Sequence, residues 1–263
     1  MNFGLAQAVV LLSTVLISGG SPAPKVDISS PPAYIMHAGG TIEDGRTGTN
    51  SLEAMNRSYE AGRYWLELDF NWTSDGIPVC IHDWDTFYTK NITGVPVPDS
   101  ETFEQYRKTT YGYETPTLDM IAEWLWEHPG AVIVTDAKEN NLRLCQYISQ
   151  KYPHLMERFA IQIYSREEYE YVSGCGFDKI IYTFYREPYH KRFDVEDLRC
   201  FAEQNKKLIA LVYGAEKSQA EEIAAVTSLA IPVYVHTVND PAERAFWLSM
   251  GVSGFYSDYV TKP

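Results

Sequence analysis

The sequence predicts an α/β fold, a (β/α)8 TIM barrel in a single domain. Short apolar runs alternate with segments of helical spacing from residue 33 to the C-terminal end. Helix start and stop signals fall at the junctions between them. The polar residues that could carry chemistry gather at the ends of the runs, the face on which a parallel barrel builds its active site.

Taken in order, the runs are "AYIMHAGG", "YWLELDF", "IPVCIHD", "GAVIVTDAK", "FAIQIY", "KIIYTFY", "KLIALVYG", "IPVYVHTV" and "VSGFYSD". Nine candidates stand where a closed barrel takes eight, so one run, "KLIALVYG" or "IPVCIHD", is expected outside barrel order. The helical segments are "TNSLEAMNRSYEAG", "TLDMIAEWLWEHPG", "NLRLCQYISQKY", "VEDLRCFAEQN", "EKSQAEEIAAVTSLA" and "PAERAFWLSMG". Asn50 or Thr49 is expected to cap the first, Gly62 ends it, and Pro241 opens the last. An open doubly wound sheet is disfavoured because "HAGGTIEDGRTG" matches neither a dinucleotide fingerprint nor a P-loop. Residues 85–116 lack periodicity and are expected to form an insertion capping one end of the barrel.

The chain has 263 residues and a formal net charge of −13. That balance excludes a general nucleic-acid binder, which needs a basic face. An acidic protein that handles a phosphate anion needs local positive charge from a metal or a few basic side chains. Four cysteines are scattered without a C-x-x-C pair, which excludes a zinc ribbon or thioredoxin-type site; Cys80 reads as a buried core thiol. Residues 1–24 carry no charged side chain, are apolar over about residues 3–17 and end in "SGGSPAP", the pattern of a signal peptide or N-terminal anchor, although a basic leading region is missing. Residues 25–32 read as a linker and 33–263 as the barrel. The expected location is therefore secreted, periplasmic or associated with the cell envelope, with contact to a membrane surface as one option. Asn56, Asn71 and Asn91 begin N-x-S/T sequons, which matter only in a glycosylating pathway.

His37, the Glu67 and Asp69 pair, His82, Asp136 with Lys138, His236 and Asp258 all fall at run ends. The two-residue spacing of Glu67 and Asp69 puts both on one strand face. With Asp136 they offer three oxygen ligands for one divalent cation, Ca²⁺ or Mg²⁺. Without a cation, buried carboxylates raise one another's pKa values. Lys138 is expected to hold a phosphate oxygen. His37 and His82 titrate near neutrality, as an acid and base pair requires. This set suits cleavage of a phosphodiester.

The ordered series "HAGG", "TNSLEAMNRSYEAG", "WLELDFNWTSDGIPVCIHD", "TPTLDMIAEWL", "DAK", "TVND" and "GVSGFYSD" resembles the glycerophosphodiester phosphodiesterase family over roughly residues 33 to 260. The resemblance implies a metal-dependent hydrolase acting on a small glycerophosphodiester or related polyol-phosphate diester. It implies His37 and His82 as the acid–base pair, and Glu67, Asp69 and Asp136 as metal ligands. Lys138 would bind phosphate; Asn50, the retained asparagine of the family's E-N-T, and His236 are placed at the substrate. Ala38 departs from the family by replacing the arginine after the first histidine, which removes a bidentate phosphate contact. The rival readings are a lipid-active member of phospholipase D-like or C-like type and a non-catalytic barrel that binds a phosphorylated ligand.

Overall fold

A computed structural model describes residues 27–84, 96–106, 112–137 and 139–259. Eight parallel strands close a barrel: β1 (Tyr34–Met36), β2 (Trp65–Asp69), β5 (Val132–Asp136), β6 (Phe159–Ile163), β7 (Ile180–Thr183), β8 (Leu208–Gly214), β9 (Val233–His236) and β10 (Gly254–Ser257). Closure comes from β1, which pairs with β2 on one side and β10 on the other. The first and last strands thereby become neighbours.

The remaining pair, β3 (Asn71–Trp72) and β4 (Pro78–Val79), is a separate antiparallel hairpin. Of the two runs expected outside barrel order, "IPVCIHD" is therefore the outsider, and "KLIALVYG" is barrel strand β8. The turn explains the choice. Five residues separate β3 from β4, far too few for a parallel crossover. Thr73 closes the turn: its amide donates to the Ile77 carbonyl, and its hydroxyl donates to Asp75 Oδ1. Gly76, at φ 86°, supplies the left-handed residue the turn needs.

Helices α1 (Leu52–Glu60), α3 (Leu118–Glu127), α4 (Asn141–Lys151), α7 (Val195–Gln204), α8 (Ala220–Val226) and α9 (Pro241–Ser249) lie where helical spacing placed them. The cap of α1 differs from expectation. Ser51, rather than Asn50 or Thr49, accepts the hydrogen bond from the Ala54 amide, because Asn50 is engaged elsewhere. The stop at Gly62 and the start at Pro241, capped by Asp240, are as read. Two further helices, α5 (Glu167–Gly174) and α6 (Tyr189–Arg192), were not expected. α5 buries only Tyr169 and Val172 and α6 buries nothing, so neither carries an apolar stripe. In the insertion, Ser100–Tyr106 forms helix α2 and buries only Phe103, which packs with Val79 and Ile81. Asp75 accepts hydrogen bonds from the amide and hydroxyl of Ser100. The described part of the insertion is thus fastened to the hairpin.

The core has two parts. Outward-facing strand residues pack against helices, with Leu66, Ile133, Ile161 and Leu211 as examples. Inward-facing residues fill the barrel: Ile35, Trp65, Val132, Val134, Ala160, Ile181, Ala210, Val212, Tyr234 and Tyr256. The Tyr234 hydroxyl reaches the carbonyls of Pro31 and Pro32, so the end of the expected linker seals the N-terminal face. All four cysteines are free thiols and Cys80 is fully buried. Among the described residues no helix is long and apolar enough to cross a membrane.

Candidate active site

The site follows from strand parity. Side chains two residues apart point the same way, so each inward row can be read upward from the apolar filling. Trp65 leads to Glu67 and Asp69, Val134 to Asp136, and Ala160 to Gln162. Ile181 leads to Thr183 and Tyr185, Tyr234 to His236, and Ile35 to His37. The barrel is apolar below and polar at its C-terminal mouth. There a cavity of about 250 Å³ is lined by His37, Glu67, Asp69, His82, Asp136, Gln162 and their neighbours.

Sheet register brings the carboxylates together. Asp69 pairs with Asp136 across β2 and β5, and Glu67 lies one inward step below. One oxygen from each of Glu67, Asp69 and Asp136 falls within a mutual span of 4.8 Å. Glu67 is 2% exposed. Its Oε2 accepts the Ala38 amide at 2.8 Å, while its buried Oε1 has no hydrogen-bond partner among the described residues. Ala38 can present that amide because it adopts the left-handed conformation, φ 47°. Burial first, and then the charge of Asp69, push the Glu67 carboxyl up from its ordinary 4.5 to about 8. A buried orphan oxygen in a set of hard carboxylate donors fits a divalent cation such as Ca²⁺ or Mg²⁺.

Each outer carboxylate is held from behind. Asn50 donates through Nδ2 to Asp69 Oδ2 and accepts the Asp69 amide through Oδ1, both at 2.9 Å. Asn50 is 1% exposed and left-handed at φ 50°. Both ends of its amide are therefore occupied by Asp69, which places it behind the carboxylates. Asp136 Oδ1 accepts from the hydroxyls of Tyr164 at 2.5 Å and Tyr185 at 2.9 Å. Lys138 lies outside the described residues.

The histidines differ in their surroundings. His37 Nδ1 is 2.7 Å from Asp258 Oδ1. Asp258 is itself held by the Asn239 amide at 2.6 Å, and its own backbone amide donates to Asn239 Oδ1. Burial pulls the His37 imidazole down, but the hydrogen bond to Asp258 and the charges of Glu67, Asp258 and Asp69 together push it up to about 9. Burial opposes ionisation of Asp258, yet its bonds to His37 and Asn239 hold it below the usual carboxylate range. His82 comes from the end of the hairpin and is more exposed, with Nδ1 2.7 Å from Asp83 Oδ2.

The structure thus brings His37, His82, Glu67, Asp69, Asp136 and His236 to one cavity wall. His236 ends β9 with its ring 6.0 Å from Tyr185 and 6.1 Å from Tyr256. Gln162, Thr183 and Tyr256 were not singled out from the sequence. The Tyr256 hydroxyl donates to Gln162 Oε1, and the buried Thr183 hydroxyl has no partner among the described residues. Inward parity on β6, β7 and β10 is the signal that marks them.

Residues 39–208 match the model of the glycerophosphoryl diester phosphodiesterase family. The chain belongs to that family. Membership makes it a phosphoric diester hydrolase, in agreement with the sequence reading. Its fold is similar to a glycerophosphodiester phosphodiesterase from Parabacteroides distasonis: TM-score 0.63, 18% identity, covering 87% of this chain and 93% of that one. It is also similar to one from Thermotoga maritima: TM-score 0.59, 17% identity, covering 88% and 96%. A phosphodiesterase from Oleispira antarctica, solved with the product sn-glycerol-3-phosphate, matches at TM-score 0.63 and 17% identity, covering 87% and 93%. At these identities the likeness carries the barrel. The family's activity rests on the family match.

Proposed function

We propose that this barrel hydrolyses a small glycerophosphodiester or related polyol-phosphate diester with one divalent cation and the pair His37 and His82. The observation that carries the reading is the orphaned, buried Glu67 Oε1 between Asp69 and Asp136, with two histidines on the same wall. Glu67, Asp69 and Asp136 hold the cation in this proposal. When bound it supplies positive charge against the phosphoryl oxygens as negative charge develops on them. Asn50 and the hydroxyls of Tyr164 and Tyr185 orient the carboxylates.

Both rings engage a carboxylate through Nδ1, so Nε2 is the atom that exchanges a proton. His37, kept protonated by Asp258, donates a proton to the leaving oxygen, and His82 accepts one from the attacking water, so that the diester yields a phosphate monoester and an alcohol. Gln162 and Thr183 offer polar contacts to a polyol. The product bound by the Oleispira antarctica enzyme supports the glycerol-phosphate class. The apolar N-terminal segment supports a secreted or envelope-associated enzyme.

The test is turnover of glycerophosphocholine, glycerophosphoinositol and an aryl phosphodiester with Ca²⁺, Mg²⁺ or EDTA. Cation-dependent turnover is expected, with His82→Ala lowering kcat by about a hundredfold or more while calorimetric cation binding persists. Turnover that survives EDTA, or is unchanged in His82→Ala, refutes the assignment.

A further inference from the structure

Arg186 lies beyond the end of β7 and directly follows Tyr185, a residue of the cavity wall. Its guanidinium carbon lies 4.5 Å from the Tyr164 ring centre and 5.8 Å from that of Tyr185. Those two rings meet edge to face, 5.5 Å apart, and both donate to Asp136. Arg186 is therefore one ring removed from a proposed cation ligand.

The side chain is exposed; among the described residues it forms no hydrogen bond or ion pair, and the one carboxylate that feels its charge, Glu168, is bonded to Asn141 and the Tyr164 amide. Other arginines of this protein are engaged: Arg166 with Asp197 at 2.7 Å, Arg199 with Glu196 at 2.6 Å, Arg158 and Arg192 with backbone carbonyls. The guanidinium carbon sits within cation–π range of the Tyr164 ring, and among the described residues no hydrogen bond occupies its donor fork. In a chain of net charge −13, a positive charge beside the wall of a carboxylate-lined cavity is a local reversal of sign. A pair of tyrosine faces beside a cavity is also the surface that would otherwise take a quaternary ammonium. Here Arg186 already covers those faces.

We propose that Arg186 is a specificity residue that binds an anionic group on the substrate outside the scissile phosphate, and repels a cationic head group. The preferred substrates are diesters that carry a second phosphate or a carboxylate. Choline-type diesters are disfavoured by like charge and by the occupied ring faces. This inference rests on the phosphodiesterase reading given above.

The experiment compares kcat/KM for glycerophosphocholine with that for a glycerol phosphate dimer bearing a terminal phosphate monoester, in wild type, Arg186→Gln and Arg186→Lys. Wild type should prefer the polyanion. Arg186→Gln should lower kcat/KM for the polyanion about tenfold, the order of one charge-assisted contact, and raise it for the choline diester. Arg186→Lys should keep part of the preference. A merely structural role would lower both substrates together, and that result, or an unchanged ratio, overturns the proposal. Calorimetric titration of both diesters in excess Ca²⁺ separates the two readings. If wild type turns over neither, the glycerophosphodiester substrate class proposed above fails. Arg186 then stands or falls on whether Arg186→Gln abolishes a binding preference for the polyanion.

Discussion

Glu67→Gln isolates the electrostatic cost of the carboxylate cluster. Glu67 is 2% exposed, and burial and Asp69 shift its carboxyl from 4.5 to about 8 in the cation-free protein. A carboxyl raised on folding is protonated in the native state while the unfolded chain has already released its proton. Stability is therefore unaffected below about pH 4.5 and falls as pH rises towards 8, at about 1.4 kcal/mol per pH unit. Across that window the loss is of the order of 4 kcal/mol, which in a barrel of this size corresponds to roughly 10 °C in Tm. Glutamine keeps the shape and the bond to the Ala38 amide but carries no charge. His37 faces the same carboxylates, so the quantity to measure is the difference between wild type and variant. Thermal unfolding in EDTA, followed by circular dichroism near pH 5 and near pH 8, should show the variant gaining on wild type as pH rises. Saturating Ca²⁺ or Mg²⁺ should restore wild type at the higher pH and leave the variant unmoved. Parallel pH curves, or undiminished cation binding by Glu67→Gln, would refute the reasoning.

Two further outcomes test how the site is held. Asp258→Asn removes the charge and the acceptor that keep His37 protonated. The imidazole pKa, read by NMR titration, should fall from about 9, and the acid-requiring limb of the pH–rate profile should move down with it; an unmoved resonance would separate the two residues. Asn50→Ala frees both atoms of Asp69 that Asn50 holds. Cation affinity should drop about tenfold or more, as for other supporting contacts to metal ligands, with stability lower by about 1–3 kcal/mol. Calorimetry that finds affinity unchanged would reduce Asn50 to a purely structural part.

Much of this was legible in the chain itself because it is local. Apolar runs bounded by turns mark the strands. The two-residue spacing of Glu67 and Asp69 fixes their shared face, and Thr73, Asp75 and Gly76 mark a turn too short for a crossover. Inward parity would also have marked Gln162, Thr183 and Tyr256. The ordered motifs pointed to the family that the match over residues 39–208 shows. Helices α5 and α6 were illegible for an equally local reason, since they bury too little to impose a helical period.

What only the tertiary structure decided are the partners. Asp258 meets His37 across 221 residues because β10 closes on β1. Asp136 stands beside Asp69 because β5, and not the hairpin that follows β2 in the chain, is the strand registered against β2. Asn50 abandons the helix cap for Asp69, and Arg186 comes to lie on Tyr164, for the same reason. Side-chain alternation is a property of a single strand and can be read along it. The neighbour of a strand is set by barrel closure and register, which depend on the packing of the whole core.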